Sequence, residues 1–266
     1  MTISLSKWLA LRATADTAAR STTLTKTVAD LLARNQPLRI LDLATGTGSN
    51  LRYLAPRLPV PQEWLVVDRD AALLAEVPGG MTPDGRDIRI ETRCQNLAVL
   101  DGDMFAGRQL VTASALLDLV SDAWLRLLAD RCRAAGATVL FALTYNGGSR
   151  CSPSEPEDDV IRDLLNRHQK TDKGFGPAAG PDAAECAAKA FAGVGYRVSR
   201  EASDWELSSR EGELQRHLVE GWAGAALELA PEESAMIRDW LNRRLAHVAA
   251  GRSHIVVCHE DVAAWP

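Results

Sequence analysis

The sequence contains no C-x-x-C pair and no H-E-x-x-H motif, and its five cysteines (Cys94, Cys132, Cys151, Cys186 and Cys258) are dispersed. That spacing offers no zinc or other metal site. An odd, scattered set suits a reducing cytoplasm, with each thiol expected to act as a small buried hydrophobe. Positive charge is also in short supply: 30 Lys and Arg stand against 35 Asp and Glu, a net charge of −5 with a pI of about 5.6. Binding to nucleic acid without sequence preference rests on phosphate neutralisation, so no nucleic-acid partner is expected. No apolar run approaches the roughly eighteen residues that a membrane span needs. The opening "MTISLSKWLALRATADTAARS" lacks a long apolar stretch of the kind found in export signals. A soluble cytoplasmic chain with no membrane partner is therefore expected.

With 46% apolar residues, a chain of 266 residues can bury a sizeable core. The first thirty-five residues read as helix, with Leu5, Trp8 and Leu9, then Leu24, Val28, Leu31 and Leu32, at three-to-four spacing. From Leu38 onward, short apolar runs alternate with helical segments. The runs are "LRILDL" (38–43), "EWLVVD" (63–68), "IRIET" (88–92), "QLVTAS" (109–114) and "ATVLFAL" (137–143), and Gly136 is placed to end the helix before the last. That alternation predicts βαβ units, a mostly parallel sheet and helices on both faces. Beyond it, "TYNGGSRCSPSEPED" reads as a loop, followed by a helix (158–168) and a second loop, "KTDKGFGPAAGPD". Another helix (183–192), a strand (196–201), two long amphipathic helices (208–229 and 231–249) and a final strand, "SHIVVCH", complete the chain. The expected organisation is an N-terminal helical cap (1–35) on a domain spanning 36–266. That domain carries a lid and loop region at 145–182 and a helical insertion at 205–251.

The stretch "LRILDLATGTGSN" carries the chemistry. It reads as a strand, a tight turn and the start of a helix. A phosphate loop needs Lys after the glycines, and none is present. A dinucleotide turn needs a third glycine where Leu51 stands. Asp42, four residues before Gly46, would repel a pyrophosphate but attract a cationic ammonium and sulfonium, which S-adenosylmethionine carries. Asp68, in "VVDRD" twenty residues after Gly48, can accept both hydroxyls of a ribose across the switch point of the sheet. It could equally cap the next helix, with Asp70 behind it.

Together "LDLATGTGSN", "VVDRD", "CQNLA" and "LVTASALLDLVS" resemble the successive motifs of the class I S-adenosylmethionine-dependent methyltransferases, over roughly residues 36–145. The resemblance implies a Rossmann-like, doubly wound α/β sheet of seven strands, the last antiparallel and supplied by "SHIVVCH". It implies S-adenosyl-L-methionine as cofactor. On it, Asp42 and the Gly46 and Gly48 backbone would hold the methionine part and Asp68 the ribose, with Ala44, Asn50 and Arg69 also among the cofactor-binding residues. Asn96 and Leu97 would border the adenine, and Ser114, Ala115 and Leu116 would lie under the sulfonium. Ala44 replaces a glycine often found first in the turn, and Asn96 an acid often found at its site.

The Asn/Asp-Pro-Pro-aromatic turn of amino-methylating relatives and the Pro-Cys dipeptide of cytosine-C5 enzymes are both missing. A small-molecule acceptor, methylated on oxygen or nitrogen, is the expectation. A nicotinamide-dependent oxidoreductase and a non-catalytic cofactor-binding regulator are the alternatives. Arg150, Arg167, Lys170 and Lys173 cluster near the expected lid and would suit an anionic acceptor. Candidate bases are His168, then Tyr145 and Asp118. The oligomeric state is not legible.

Overall fold

The computed structural model describes residues 3–32, 36–79 and 88–266. The expected boundary between cap and core involves residues 33–35, which lie outside the described residues. Two helices open the chain, α1 (Leu5–Ala19) and α2 (Thr22–Leu31), capped by the hydroxyls of Ser4 and Ser21. The strands are β1 (Leu38–Leu43), β2 (Gln62–Asp68), β3 (Ile88–Cys94), β4 (Leu110–Ser114), β5 (Thr138–Ser152), β6 (Arg197–Ala202), β7 (Trp205–Leu207) and β8 (His254–Trp265). Between them run α3 (Ser49–Leu54), α4 (Ala71–Leu74), α5 (Asp122–Ala135), α6 (Asp158–Gln169), α7 (Ala183–Gly193), α8 (Gly212–Leu229) and α9 (Ser234–Ala249).

The sheet runs β3-β2-β1-β4-β5-β8-β6. Neighbours from β3 through β5 are parallel, and β8 is antiparallel to both β5 and β6. This is the seven-strand α/β order expected, with the last strand reversed. The short β7, pairing with β8, is an addition. Side-chain alternation divides the core between the two faces. Leu38 and Ile40 of β1 pack with Leu24 and Val28 of α2 and Leu51 and Leu54 of α3. Leu41 and Leu43 instead join Leu125 and Leu128 of α5 and Ala187 and Phe191 of α7. A third cluster gathers α6, α8 and α9, including Ile161, Trp222 and Trp240. Among the described residues no helix is long and apolar enough to cross a membrane.

One expectation needs correction. The lid region expected from residue 145 is strand at its start: β5 runs on to Ser152 and pairs with β8 as far as His254. Register shifts after Phe141 and Tyr145 let the strand bend while keeping its partner. The glycines that suggested a loop serve close approach: a Cβ on Gly148 would lie 2.9 Å from Cys258, and one on Gly147 2.9 Å from Pro181.

Asp261 of β8 ties this bend to the N-terminal helices. It is 1% exposed, and its two oxygens accept from the Leu143 N–H at 2.8 Å and the Ser21 N–H at 2.9 Å. Asp261→Ala leaves two buried donors unpaired and is predicted to cost roughly 2–5 kcal/mol, measured by denaturant unfolding. A loss below about 1 kcal/mol would show that this tether is dispensable.

Candidate active site

At the end of β1 the chain turns sharply through Ala44 (φ 52°), Gly46 (φ 56°) and Gly48 (φ 83°), and Gly48 starts α3. Gly46 is closed in by α1: a Cβ there would meet Leu9 at 3.0 Å. Two acids hold the turn from different sides. Asp42 points to the α3 face, where its carboxylate accepts from the Thr45 hydroxyl and the Asn50 amide, each at 2.6 Å. Burial pushes its pKa up to about 6 against the pull of those two donors. Asp42 is fully buried and does not line the cavity described below. The direct contact expected between it and a cationic ligand is therefore replaced by a bracing role beneath the turn.

Asp68, at the end of β2, accepts from the Gly46 N–H at 2.8 Å and from the Asp70 N–H at 3.0 Å. Asp70 takes the capping position of α4, accepting from the N–H groups of Ala72 and Leu73. That division of labour frees Asp68 from helix capping. Each of its oxygens keeps a lone pair, and the residue lines the cavity.

The cavity, about 550 Å³, lies along the carboxyl ends of β1, β2, β4 and β5. One half is bounded by Ala44, Gly46, Asn50, Asp68, Arg69, Leu73, Leu97 and Ser114 to Leu116. Over the other half lie Trp8 and Arg12 of α1, Trp205 of β7, Trp222 of α8, and Lys173 with Phe175 from the loop after α6. Its inner polar groups are Asp118, Tyr145 and His259. Three non-glycine residues hold positive φ: Ala44, Ala115 (52°) and Leu143 (57°). All three border this cavity, so the backbone strain of the described residues is concentrated at its wall.

The inner groups differ in what they can still offer. The Tyr145 hydroxyl donates to Asn166 Oδ1 at 2.9 Å, and burial pushes its pKa up. Asp118 is buried, its Oδ1 has no hydrogen-bond partner, and burial raises its pKa to about 6. His259 lies 3.0 Å through Nδ1 from the Val257 carbonyl. A carbonyl can only accept, so Nδ1 carries the proton and Nε2 keeps a free lone pair. Burial first, and then the Arg12 charge, hold the His259 pKa down to about 3. The ring sits between Tyr145, with centroids 6.1 Å apart, and Trp205, at 5.2 Å. Arg12 is anchored in turn: its Nε donates to both Asp16 oxygens (3.1 and 2.9 Å), and its guanidinium covers the Trp205 ring at 4.8 Å. The Trp205 indole also donates to Asp16, at 3.1 Å.

Several expected participants lie elsewhere. His168 is not among the lining residues; its Nε2 pairs with Glu228 of α8 at 2.9 Å, and its Nδ1 lies 3.4 Å from the Lys173 ammonium. Arg150 and Arg167 are exposed, and Lys170 pairs with Asp182 at 2.8 Å. Of the expected cationic cluster, only Lys173 reaches the cavity. Asn96 is exposed and accepts from the Ala98 N–H, while neighbouring Leu97 lines the wall and its carbonyl accepts from the Trp124 indole at 2.7 Å. Gly48 serves as the start of α3 and stands back from the wall. Sequence reading missed His259, Arg12 and the tryptophans. The only signal was a histidine on an apolar strand and an Arg–Asp pair at i,i+4 spacing on α1.

No protein-family model matches the sequence, and no curated protein is similar to it. Solved structures are similar in fold. A mycolic acid cyclopropane synthase complexed with SAH and CTAB superposes with a TM-score of 0.51 at 8% identity, covering 92% of this chain and 83% of its own. A protein of Anaeromyxobacter dehalogenans assigned as a type II methyltransferase gives 0.50 at 17% identity, covering 92% and 96%. The chain has the class I methyltransferase fold. In that fold the cavity lies where the strand order reverses, the usual ligand position of open α/β sheets.

The raised pKa of Asp118 has a stability consequence. Its folded value, about 6, exceeds the unfolded value near 3.9, so the buried charge costs stability above pH 6. The cost, at most about 3 kcal/mol, fades as pH falls through 6 and is gone below about 4. Asp118→Asn should therefore be more stable than the parent at about pH 7.5, with the gain vanishing near pH 4. A gain independent of pH, or a loss at neutral pH, would contradict the assignment.

Proposed function

We propose that the protein is an S-adenosylmethionine-dependent methyltransferase acting on a small molecule. The observation that carries this reading is Asp68. Its carboxylate is fixed by the Gly46 and Asp70 N–H groups, each oxygen keeps a free lone pair, and the residue lines the cavity at the switch point. That arrangement suits a ribose diol, whose two hydroxyls can donate to one carboxylate. Leu51, where a dinucleotide turn needs glycine, is 3% exposed and packed in the core of the α3 face, which argues against a pyrophosphate ligand.

The residues present fit the cofactor. Asp68 with Arg69 would take the ribose, and Leu73 and Leu97 would flank the adenine. Ala44, Gly46 and Ser114 to Leu116 would line the methionine and sulfonium. The cofactor supplies a methyl carbon made electrophilic by the sulfonium. The chain supplies enclosure and orientation, the main needs of an in-line displacement.

On the acceptor side, the groups with spare capacity are the His259 Nε2 lone pair and Asp118 Oδ1, both hydrogen-bond acceptors. An acceptor that presents a hydroxyl or amine N–H to them is favoured, its apolar body covered by Trp8, Trp205 and Trp222. His259 would orient such a group by accepting its hydrogen bond, and Asp118, its pKa raised to about 6, would accept the departing proton. With Arg69 on the ribose side and Arg12 already committed to Asp16, Lys173 is the one lining cation among the described residues left to an acceptor, and a strongly anionic acceptor loses most of its support.

The test is incubation with S-adenosylmethionine carrying an isotopically labelled methyl group and a metabolite extract, read by mass spectrometry for a labelled small molecule. Asp68→Ala should weaken S-adenosylhomocysteine binding by roughly 1–3 kcal/mol. Asp118→Asn should lower turnover about 10²-fold with cofactor affinity unchanged. Stabilisation by NAD without any response to S-adenosylhomocysteine would overturn the reading.

A further inference from the structure

The inner polar groups of the cavity, Asp118, Tyr145 and His259, are all acceptors with no proton left to give. The Tyr145 hydroxyl donates to Asn166 Oδ1, and the Asn166 amide donates to the Gly147 carbonyl at 3.0 Å, which fixes the direction of both bonds. The His259 Nδ1 proton faces the Val257 carbonyl, and Nε2 keeps its lone pair. Asp118 Oδ1 has no partner. Asp118 and His259 are 7% and 6% exposed, and both line the cavity. The fold brings the three together: Tyr145 stands opposite His259 in the β5–β8 register, and the Tyr145 N–H acts on the Asp118 carboxylate.

A ligand must match that inventory. A hydroxyl brings one proton and two lone pairs, so one protein acceptor stays unanswered and its own lone pairs meet no donor in this group. A carboxylate brings acceptors only. An ammonium brings two or three donors and no lone pair. Charge points the same way. Arg12 is bound by both Asp16 oxygens, so that pair adds no net charge. The Lys173 ammonium donates to Thr171 Oγ1 at 2.9 Å and lies 3.4 Å from His168 Nδ1, and neither residue lines the cavity. Asp118 is left as the inner charge still to be answered. Trp8, Trp205, Trp222 and Phe175 line the same half, and aromatic faces attract cations, as the Arg12 guanidinium over Trp205 already shows.

We propose that the methyl acceptor is a primary or secondary amine on an apolar body, bound as its ammonium between the Asp118 carboxylate and His259 Nε2, an inference that rests on the methyltransferase function proposed above. The ammonium gives one proton to the Asp118 carboxylate. The freed nitrogen lone pair forms the new bond to the methyl carbon while the carbon–sulfur pair returns to sulfur. The products are an N-methylated ammonium and a neutral thioether. Burial lowers the pKa of an ammonium as it raises that of a carboxyl, so the apolar wall favours the proton transfer from both sides.

The experiment titrates matched trios into the protein, with and without saturating S-adenosylhomocysteine, and reads affinity by calorimetry. Each trio is the amine, the alcohol and the carboxylate of one apolar body: phenylethyl, indolylethyl or hexyl. On at least one body the amine should bind about tenfold or more tightly than its alcohol and its carboxylate. Asp118→Asn should close that gap by weakening the amine, and His259→Leu, which removes the second acceptor, should narrow it. S-adenosylhomocysteine should bind both variants as it binds the parent, which also shows that they fold. Alcohols or carboxylates that bind as tightly as the amines, no binding of any amine, or a preference intact in both variants overturns the amine assignment. Binding of S-adenosylhomocysteine to the parent in those cases leaves the methyltransferase reading standing. If S-adenosylhomocysteine does not bind and the Asp118-dependent amine preference persists, the methyltransferase reading fails and the amine pocket stands.

Discussion

The buried carboxylate of Asp42 is the constraint around which the site is built. It sits at the one place where a strand must stop, reverse and start a helix, and it joins the turn (Thr45) to the helix (Asn50) and so to β4 through Thr112. Placing a carboxylate there costs desolvation, visible in its raised pKa, and strong short hydrogen bonds offset that cost. What it secures is the orientation of Gly46, whose N–H then reaches Asp68 on the neighbouring strand. Two carboxylates thus fix one turn, one from below and one from its open side. Only the second remains available to a ligand.

The helical additions complete the site. α1 lies over the glycine turn through Leu9 and carries the Arg12–Asp16 pair to Trp205, while α8 brings Trp222. These groups come from the N-terminal helix and from the last third of the sequence, so the far half of the cavity is covered by segments added to the core sheet. The reversed β8 matters for the same reason. Its His259 enters the cavity beside Tyr145 of β5, and its Asp261 fixes the positive-φ Leu143 at the wall.

The half of the cavity around the glycine turn was largely legible in the sequence. The strand over 38–43, the turn and the carboxylate at Asp68 follow from local rules, since a strand, a glycine pair and an acid at fixed spacing need no distant partner. The far half was not. His168 looked like a base because it ends a basic helix beside a glycine loop, but that end faces α8 and Glu228. His259 looked like any residue of a buried strand, and its role depends on the register of β8 against β5. Asp42 was found for its position and misread for its direction. Alternation from Ile40 turns it toward α3, a fact that the charge argument alone does not contain.

The most direct test of this account is a crystal structure of the protein grown with S-adenosylhomocysteine. It should show the ribose hydroxyls on the Asp68 carboxylate, the adenine against Leu97 and the thioether beside Ser114 to Leu116. The Asp42 carboxylate should remain beneath the turn, out of contact with the ligand. A ligand bound elsewhere with this cavity empty, or a ligand displacing Asp42 from Thr45 and Asn50, would contradict it.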